Sequence, residues 1–149
     1  MMKKQEKKYK EFGKVFEKLS PQNIEAEEAL LGSLLIDKEA IIKIADIISE
    51  DDFYKNIHQI IYQAMLEVWE NSEPIDILSV GNRLEEKGEL KKIGEKSYLA
   101  SLAETVPSSS NVKSYAQIVK KKSILRKLIK SSTETIEDRK STRLNSSHT

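Results

Sequence analysis

The residues from Asn56 to Glu70 place apolar side chains three and four positions apart over about four turns, which predicts an amphipathic helix. These apolar positions are Ile57, Ile60, Ile61, Ala64, Met65, Val68 and Trp69. Other segments repeat the same spacing over shorter lengths, and none shows the sustained two-residue alternation of a half-buried strand. The predicted class is therefore all-α, a compact bundle of about six helices with short connections.

Capping residues and glycines set the predicted helix boundaries. The candidate N-caps are Ser20 or Asn23 for the first helix, and Asp37, Asn56 and Asp76 for later ones. Gly88 follows the helix that Asp76 begins, where a left-handed C-terminal cap is expected. Gly32 lies inside the first helix, where Gly costs about 1 kcal/mol relative to Ala. A close helix crossing at Gly32 would explain that cost.

The last predicted helix is long and begins at Val112. We expect it to run to about Ile136, projecting from the body or pairing with another helix, because its apolar stripe lies on one side. Lys120-Lys121-Lys122 and Arg126-Lys127 interrupt this stripe. The candidate self-association face consists of Tyr115, Ile118, Val119, Leu125, Leu128 and Ile129.

The chain divides into three predicted regions. Residues 1–19 form a Lys-rich arm with a few apolar residues, interpreted as a solvated, partly helical extension; the alternative is a basic arm that contacts nucleic acid or a partner. The folded domain spans residues 20–138. Residues 139–149 lack apolar periodicity and are interpreted as a disordered tail of non-native origin.

Composition narrows the class of protein. Lys and Arg (25) nearly balance Asp and Glu (24), and a net charge of +1 argues against a domain built mainly to neutralise phosphates. The chain has no Cys, which excludes disulfides and thiolate metal sites. No apolar run approaches the roughly 20 residues of a membrane span. No signal peptide follows the basic start, so the expected location is the cytoplasm.

Catalytic and cofactor motifs are absent from the sequence. The five glycines are Gly13, Gly32, Gly81, Gly88 and Gly94, and none has P-loop spacing, so we expect no ATP hydrolysis and no cofactor in this chain. His148 lies in the tail. His58 is interpreted as a polar boundary residue without an evident serine or carboxylate partner, so neither a metal site nor a catalytic residue is predicted.

Three charged or aromatic features also receive structural interpretations. The acidic turn Glu50-Asp51-Asp52 is interpreted as a solvated helix start, because acid–base chemistry would need a pocket that separates the pKa values of these groups. The basic face from Lys120 to Lys130 is interpreted as solvated surface, with contact to nucleic acid or an acidic partner as the alternative. Trp69 is interpreted as a core or interface residue.

Four blocks of residues, in order along the chain, resemble one known family. The first is the run Pro21-Gln22-Asn23-Ile24-Glu25-Ala26-Glu27-Glu28-Ala29-Leu30-Leu31-Gly32-Ser33-Leu34-Leu35, which is similar to the opening signature of DnaB-type replicative helicases. The second block comprises Asp52-Phe53-Tyr54, His58, Ile61-Tyr62 and Ala64-Met65. The third block comprises Pro74-Ile75-Asp76, Leu84, Gly88 and Leu90. The fourth comprises Tyr98-Leu99, Leu102-Ala103, Pro107-Ser108, Asn111, Tyr115-Ala116 and Ile118-Val119. The resemblance covers about Leu19 to Ile136.

The resemblance implies an N-terminal helicase domain, a small helical bundle continued by a helical hairpin. In this family such domains pair, and three pairs form a collar over a hexameric motor that unwinds duplex DNA with ATP and Mg²⁺, moving 5′ to 3′ on single-stranded DNA. The collar docks primase and, in some systems, a helicase loader. The second hairpin arm and the motor are not in this sequence, so the chain alone is expected to bind partners rather than catalyse.

Two alternatives from other classes remain open. One is a free-standing helical domain that binds nucleic acid through the Lys-rich arm and the Lys120–Lys130 face. The other is the helicase-binding domain of primase, which has the same general fold. The opening motif favours the helicase over the primase.

Overall fold

A computed structural model of the chain describes residues 4–11 and 20–146, and within these ranges the regular structure is helical, without strands. Residues 4–11 are helical. The further helices are α1 (Ile24–Ile36), α2 (Ala40–Ile44), α3 (Asn56–Glu70), α4 (Ile77–Glu86), α5 (Leu90–Ile93), α6 (Glu95–Glu104) and α7 (Val112–Ser146), with a 3-10 turn at Glu50–Asp52. The predicted all-α class is confirmed. No described helix combines the length and apolar character needed to cross a bilayer.

The chain forms two compact units, Asn23–Ile124 and a smaller one made of Met1–Gln22 and Leu125–Thr149. The first unit contains one hydrophobic core to which each of its helices contributes. Leu31 of α1, Ile61 of α3 and Leu99 of α6 are fully buried in it. Full burial of such a side chain stabilises the fold by about 1.5–3 kcal/mol, so this core is the main source of the unit's stability.

Gly32 lies at a close crossing of α1 and α6. A Cβ atom added at Gly32 would collide with the carbonyl oxygen of Leu102 and lie 2.8 Å from Oγ1 of Thr105. Only a residue without a side chain allows the two backbones to approach so closely. The predicted close crossing is confirmed, and it outweighs the low helix propensity of Gly.

Three of the predicted caps are confirmed, whereas the N-cap of α2 is Glu39 rather than the predicted Asp37. Asn23 Oδ1 accepts a hydrogen bond from Ala26 N (3.0 Å) at the start of α1. Asp76 Oδ1 accepts one from Ser79 N (2.8 Å) at the start of α4. Gly88 follows α4 with φ +70° in the left-handed region. The prediction for Asn56 is wrong, because Asn56 is the first residue of α3 itself and no local side chain caps that helix.

The long last helix is confirmed and extends further than predicted. α7 continues past Ile136 to Ser146, through residues that the sequence had assigned to a disordered tail. The physical reason is that neither Gly nor Pro occurs between Val112 and Ser146 to end the helix. His148 lies outside the described residues, and a non-native origin of residues 139–149 stays a prediction.

Within the Lys-rich arm, the helical residues 4–11 are exposed to solvent, as expected for a partly helical extension. Tyr9 has 62% of its surface exposed. The other apolar residues of the arm, Phe12, Val15, Phe16 and Leu19, lie outside the described residues.

Candidate interaction surface

A buried hydrogen-bond network connects α1, α3 and α6. The Nδ1 atom of His58 lies 2.8 Å from Oε1 of Glu27, and its Nε2 atom lies 2.7 Å from the hydroxyl oxygen of Tyr98. His58 is fully buried and Glu27 is 1% exposed. The prediction that His58 has no carboxylate partner is therefore wrong.

Glu27 also binds the backbone segment that precedes α3. Its carboxylate accepts hydrogen bonds from the backbone nitrogens of Tyr54 (2.7 Å) and Lys55 (3.3 Å), just before α3 begins. A carboxylate oxygen accepts, so His58 Nδ1–H donates to Glu27, and His58 Nε2 forms a hydrogen bond with the Tyr98 hydroxyl. Burial, followed by the charges of Glu28 and Glu27, raises the pKa of Tyr98 to about 12. The network is enclosed within the fold, and its role is to hold three helices together.

A second buried carboxylate, that of Asp52, forms hydrogen bonds with side chains of α7. Asp52 is fully buried and accepts hydrogen bonds from Ser123 Oγ (2.6 Å), Ser49 N (2.8 Å) and Lys120 Nζ (3.2 Å). Burial alone would raise the pKa of Asp52, but the bonds from Ser123, Ser49 and Lys120 outweigh it and lower the pKa to about 2. The interpretation of this turn as solvated is wrong for Asp52, and Lys120 is not simply a solvated cation.

An open groove lies between α1, the end of α6 and the start of α7. Its volume is about 440 Å³. The lining residues are Asn23, Glu25, Ala26, Glu28, Ala29, Thr105, Val106, Tyr115 and Ile118. Ile118 is 37% exposed, whereas Ala26 and Val106 are buried beneath the groove. We call this feature the α1–α6 groove; its lining combines apolar side chains with polar and acidic ones, including Glu25 and Glu28.

The six residues predicted as one association face have three different environments. Val119 is 2% exposed and belongs to the core, so it is corrected from a surface residue to a core residue. Tyr115 and Ile118 line the α1–α6 groove. Further along α7, Leu125 is 38% and Leu128 59% exposed, while Ile129 is half-buried. The apolar periodicity of a sequence does not show which turns of a long helix pack on the core and which turns extend beyond it.

The remaining candidate features are placed as follows. Trp69 is 39% exposed at the end of α3, which fits a boundary position rather than the core. Lys121 is exposed and Lys122 is half-buried, whereas Arg126 Nη1 donates a hydrogen bond to the Pro21 carbonyl at 2.7 Å within the smaller unit. The described residues contain no group of three His, Cys, Asp or Glu side chains arranged to hold a metal ion.

The all-helical fold with a long last helix is that of a helicase N-terminal domain, as comparison with known proteins shows. A family model described as the DnaB-like helicase N terminal domain matches residues 19–121. The chain belongs to this family, as its sequence blocks predicted.

The curated relatives are replicative helicases. The replicative DNA helicase DnaB of Geobacillus stearothermophilus is 43% identical over 122 residues, which cover 82% of this chain and 27% of that protein. The replicative DNA helicase DnaC of Bacillus subtilis (strain 168) is 41% identical, with the same two coverages. The chain thus spans about a quarter of the length of these relatives.

Solved structures give the same assignment. The crystal structure of the N-terminal domain of DnaB helicase from Mycobacterium tuberculosis matches with a TM-score of 0.77 and 37% identity, covering 78% of this chain and 81% of that one. A DnaB-like replicative helicase described together with its interactions with primase matches with a TM-score of 0.70 and 31% identity, covering 78% of this chain and 27% of that one.

Proposed function

We propose that this chain is the collar domain of a replicative DNA helicase, which associates with copies of itself and docks primase. The observation that carries the proposal is the family match over residues 19–121, together with relatives that are replicative helicases. One related structure is of a helicase described with its interactions with primase, which supports primase as a partner. A helicase loader is a further candidate partner. In this proposal the protein acts in the bacterial cytoplasm.

The intact protein would unwind duplex DNA with ATP and Mg²⁺ bound by a motor domain beyond this chain. The chain itself lacks glycines at P-loop spacing, so its own contribution is to bind and orient partners rather than to hydrolyse ATP. Its buried polar clusters, around Glu27 and around Asp52, keep the helices in fixed positions, and this rigidity is what a docking domain needs.

Self-association is assigned to the exposed apolar residues of α7. Leu125 and Leu128 each expose more than a third of their surface to solvent, and Ile129 is half-buried beside them. Contiguous apolar surface of this kind on a helix is typical of contact sites. Tyr115 and Ile118 lie earlier on the same helix and belong to the α1–α6 groove, which leaves them available to a different partner.

Binding of purified chain to the helicase-binding domain of the primase from the same organism tests the proposal. We expect saturable binding by isothermal titration calorimetry and no ATP turnover by the chain alone. Absence of primase binding together with a strictly monomeric chain would contradict the collar assignment. ATP hydrolysis by the clean chain would contradict its assignment as a binding domain.

A second candidate function is binding of single-stranded DNA. It is favoured by the exposed Lys121 and Lys130 on α7, and by the Lys-rich arm. Fluorescence anisotropy with a labelled oligonucleotide distinguishes this candidate, because phosphate binding weakens steeply as salt concentration rises. Salt-sensitive DNA binding without primase binding would favour the second candidate over the first.

A further inference from the structure

We propose that the contacts of Asp52 with α7 form a latch, which opens while the core of the first unit stays folded. Opening moves residues 120–124, the last turn of α7 within this unit, away from the 3-10 turn at Glu50–Asp52. The structure shows the closed latch. The inference deepens the proposed function, on which its last step rests, because this turn leads directly into the residues assigned to self-association.

The row of α7 residues that faces the core changes from apolar to polar toward this turn. Val112, Ala116 and Val119 are at most 2% exposed and belong to the hydrophobic core. Ser123 takes the next position of the same row, one helical turn after Val119, and it is also buried. Within this unit, the packing of α7 therefore begins with apolar burial and ends in a polar contact.

The polar contact joins a buried carboxylate to two donors from α7. Ser123 Oγ donates to Asp52 Oδ1 at 2.6 Å, and Lys120 Nζ donates to Oδ2 at 3.2 Å. A third donor is local, since the backbone nitrogen of Ser49 lies 2.8 Å from Oδ2. The carboxylate therefore keeps the Ser49 bond when α7 moves away.

This contact costs less to open than the apolar part of the row. Separating Val119 from the core exposes apolar surface to water, which is unfavourable. Separating Lys120 from Asp52 lets both charges regain water, and their hydration offsets much of the lost attraction. The Lys120 side chain is already 36% exposed, so water reaches it in the closed latch. An opening confined to this turn therefore has a lower free energy than unfolding of the core.

The latch connects the body of the domain to its proposed self-association. Leu125 directly follows the turn, and α7 continues without interruption through Leu128. A second copy that packs on these two residues selects the arrangement of α7 that it fits. If that arrangement is the closed latch, association stabilises the closed latch, and the closed latch strengthens association by the same factor.

Thiol labelling of the full chain measures the opening, because the chain contains no Cys. The variants Ser123→Cys and Val119→Cys each place one buried thiol on the same row, and Ser123→Cys retains the Lys120 contact. We expect dithiobis(nitrobenzoate) to label Ser123→Cys at least about tenfold faster, with a weaker dependence on urea because a local opening exposes less surface. Equal rates with equal urea dependence would show that this turn opens only with the core, and the proposal would fail.

A second pair of variants tests whether Asp52 holds the turn. In the Ser123→Cys chain, Lys120→Met removes the ammonium donor, and labelling should become about tenfold faster because a hydrogen bond to a charged group is lost. The matched control is Lys121→Met, at the neighbouring exposed position, which should leave the labelling rate unchanged. Equal rates in these two variants would overturn the proposal.

Sedimentation equilibrium separates this proposal from the proposed function. In chains that keep Ser123, we expect Lys120→Met to associate at least about threefold more weakly than Lys121→Met, since the open latch competes with association. Unchanged association of Lys120→Met would overturn the regulatory step. If Ser123→Cys shows local opening but the unsubstituted chain stays monomeric and binds no primase, the latch survives and the collar assignment fails.

Discussion

His58 Nδ1 lies 2.8 Å from Glu27 Oε1 at a position where both side chains are shielded from water. The same Glu27 carboxylate accepts hydrogen bonds from two backbone nitrogens at the start of α3. Glu27 thus fixes the two residues that precede α3, whereas a local N-cap side chain accepts from first-turn N–H groups of its helix. The start of α3 depends on a side chain contributed by α1.

Removal of the Glu27 carboxylate should destabilise the fold. In Glu27→Ala, the buried His58 Nδ1–H and the Tyr54 backbone N–H lose their acceptor, and an unsatisfied buried donor costs about 1–3 kcal/mol. We expect a loss of about 3 kcal/mol in the free energy of unfolding, measured by urea titration with circular dichroism. Glu28→Ala, the neighbouring carboxylate without an ion-pair partner among the described residues, is the control and should change stability by less than about 0.5 kcal/mol. Equal losses would contradict the assignment.

Asp52 should make stability depend on pH in the acid range. Its folded-state pKa of about 2 is below its ordinary value of 3.8, so the unfolded chain binds a proton more readily than the folded one. The stabilisation is therefore complete above about pH 5 and is lost as the pH falls through the folded pKa. A shift of this size corresponds to about 2 kcal/mol.

The comparison of Asp52→Asn with the unsubstituted chain isolates this effect. Urea titrations at pH 5.5 and pH 2.5 should show a smaller loss of stability for Asp52→Asn, because its amide does not titrate. Asp46→Asn, at an exposed position, should behave like the unsubstituted chain. Parallel losses in all three proteins would show that Asp52 is not the titrating group.

The same substitution at two helical glycines should have different effects. In Gly32→Ala the new methyl group meets the Leu102 backbone, which cannot move without separating α1 from α6, and we expect a loss of about 1–3 kcal/mol. In Gly81→Ala the methyl group meets only the side chain of Lys96, which is exposed and flexible. The gain of about 1 kcal/mol in helix propensity then leaves Gly81→Ala neutral or slightly stabilised. Thermal unfolding distinguishes the two, and equal melting temperatures would contradict the close crossing.

The sequence predicted the helices well because periodicity reports which face of a segment is buried. α3 and the cap at Asp76 follow directly from local residues, and Gly32 signalled a crossing although its partner helix could not be named. The sequence did not predict that Glu27 meets His58, since they are 31 positions apart and the contact exists only once α1 packs on α3. Local pattern identifies apolar faces, but it does not indicate which polar groups will be buried together.

The candidate surface was predicted only in part, for a related reason. Tyr115, Val119 and Leu128 are predicted as parts of one face, yet the first lines a groove, the second is buried and the third is exposed. Val119 and Leu128 are nine positions apart, and at about 3.6 residues per turn they lie on opposite sides of α7. The surroundings of the apolar residues change from one turn of a long helix to the next. Asp52 was missed similarly, because its partners Lys120 and Ser123 come from the far end of the sequence.

Self-association should depend on the later turns of α7. The combined substitution Leu125→Ser and Leu128→Ser removes two exposed apolar side chains without adding charge, and loss of buried apolar contact weakens association because that contact is its main driving force. We expect the dimer dissociation constant from sedimentation equilibrium to rise by at least about tenfold, which corresponds to 1.4 kcal/mol. Leu78→Ser is the control, since Leu78 is 64% exposed on α4, outside the proposed face. An unsubstituted chain that stays monomeric at high concentration, or a Leu78→Ser chain that loses association equally, would show that this part of α7 is not the contact between copies.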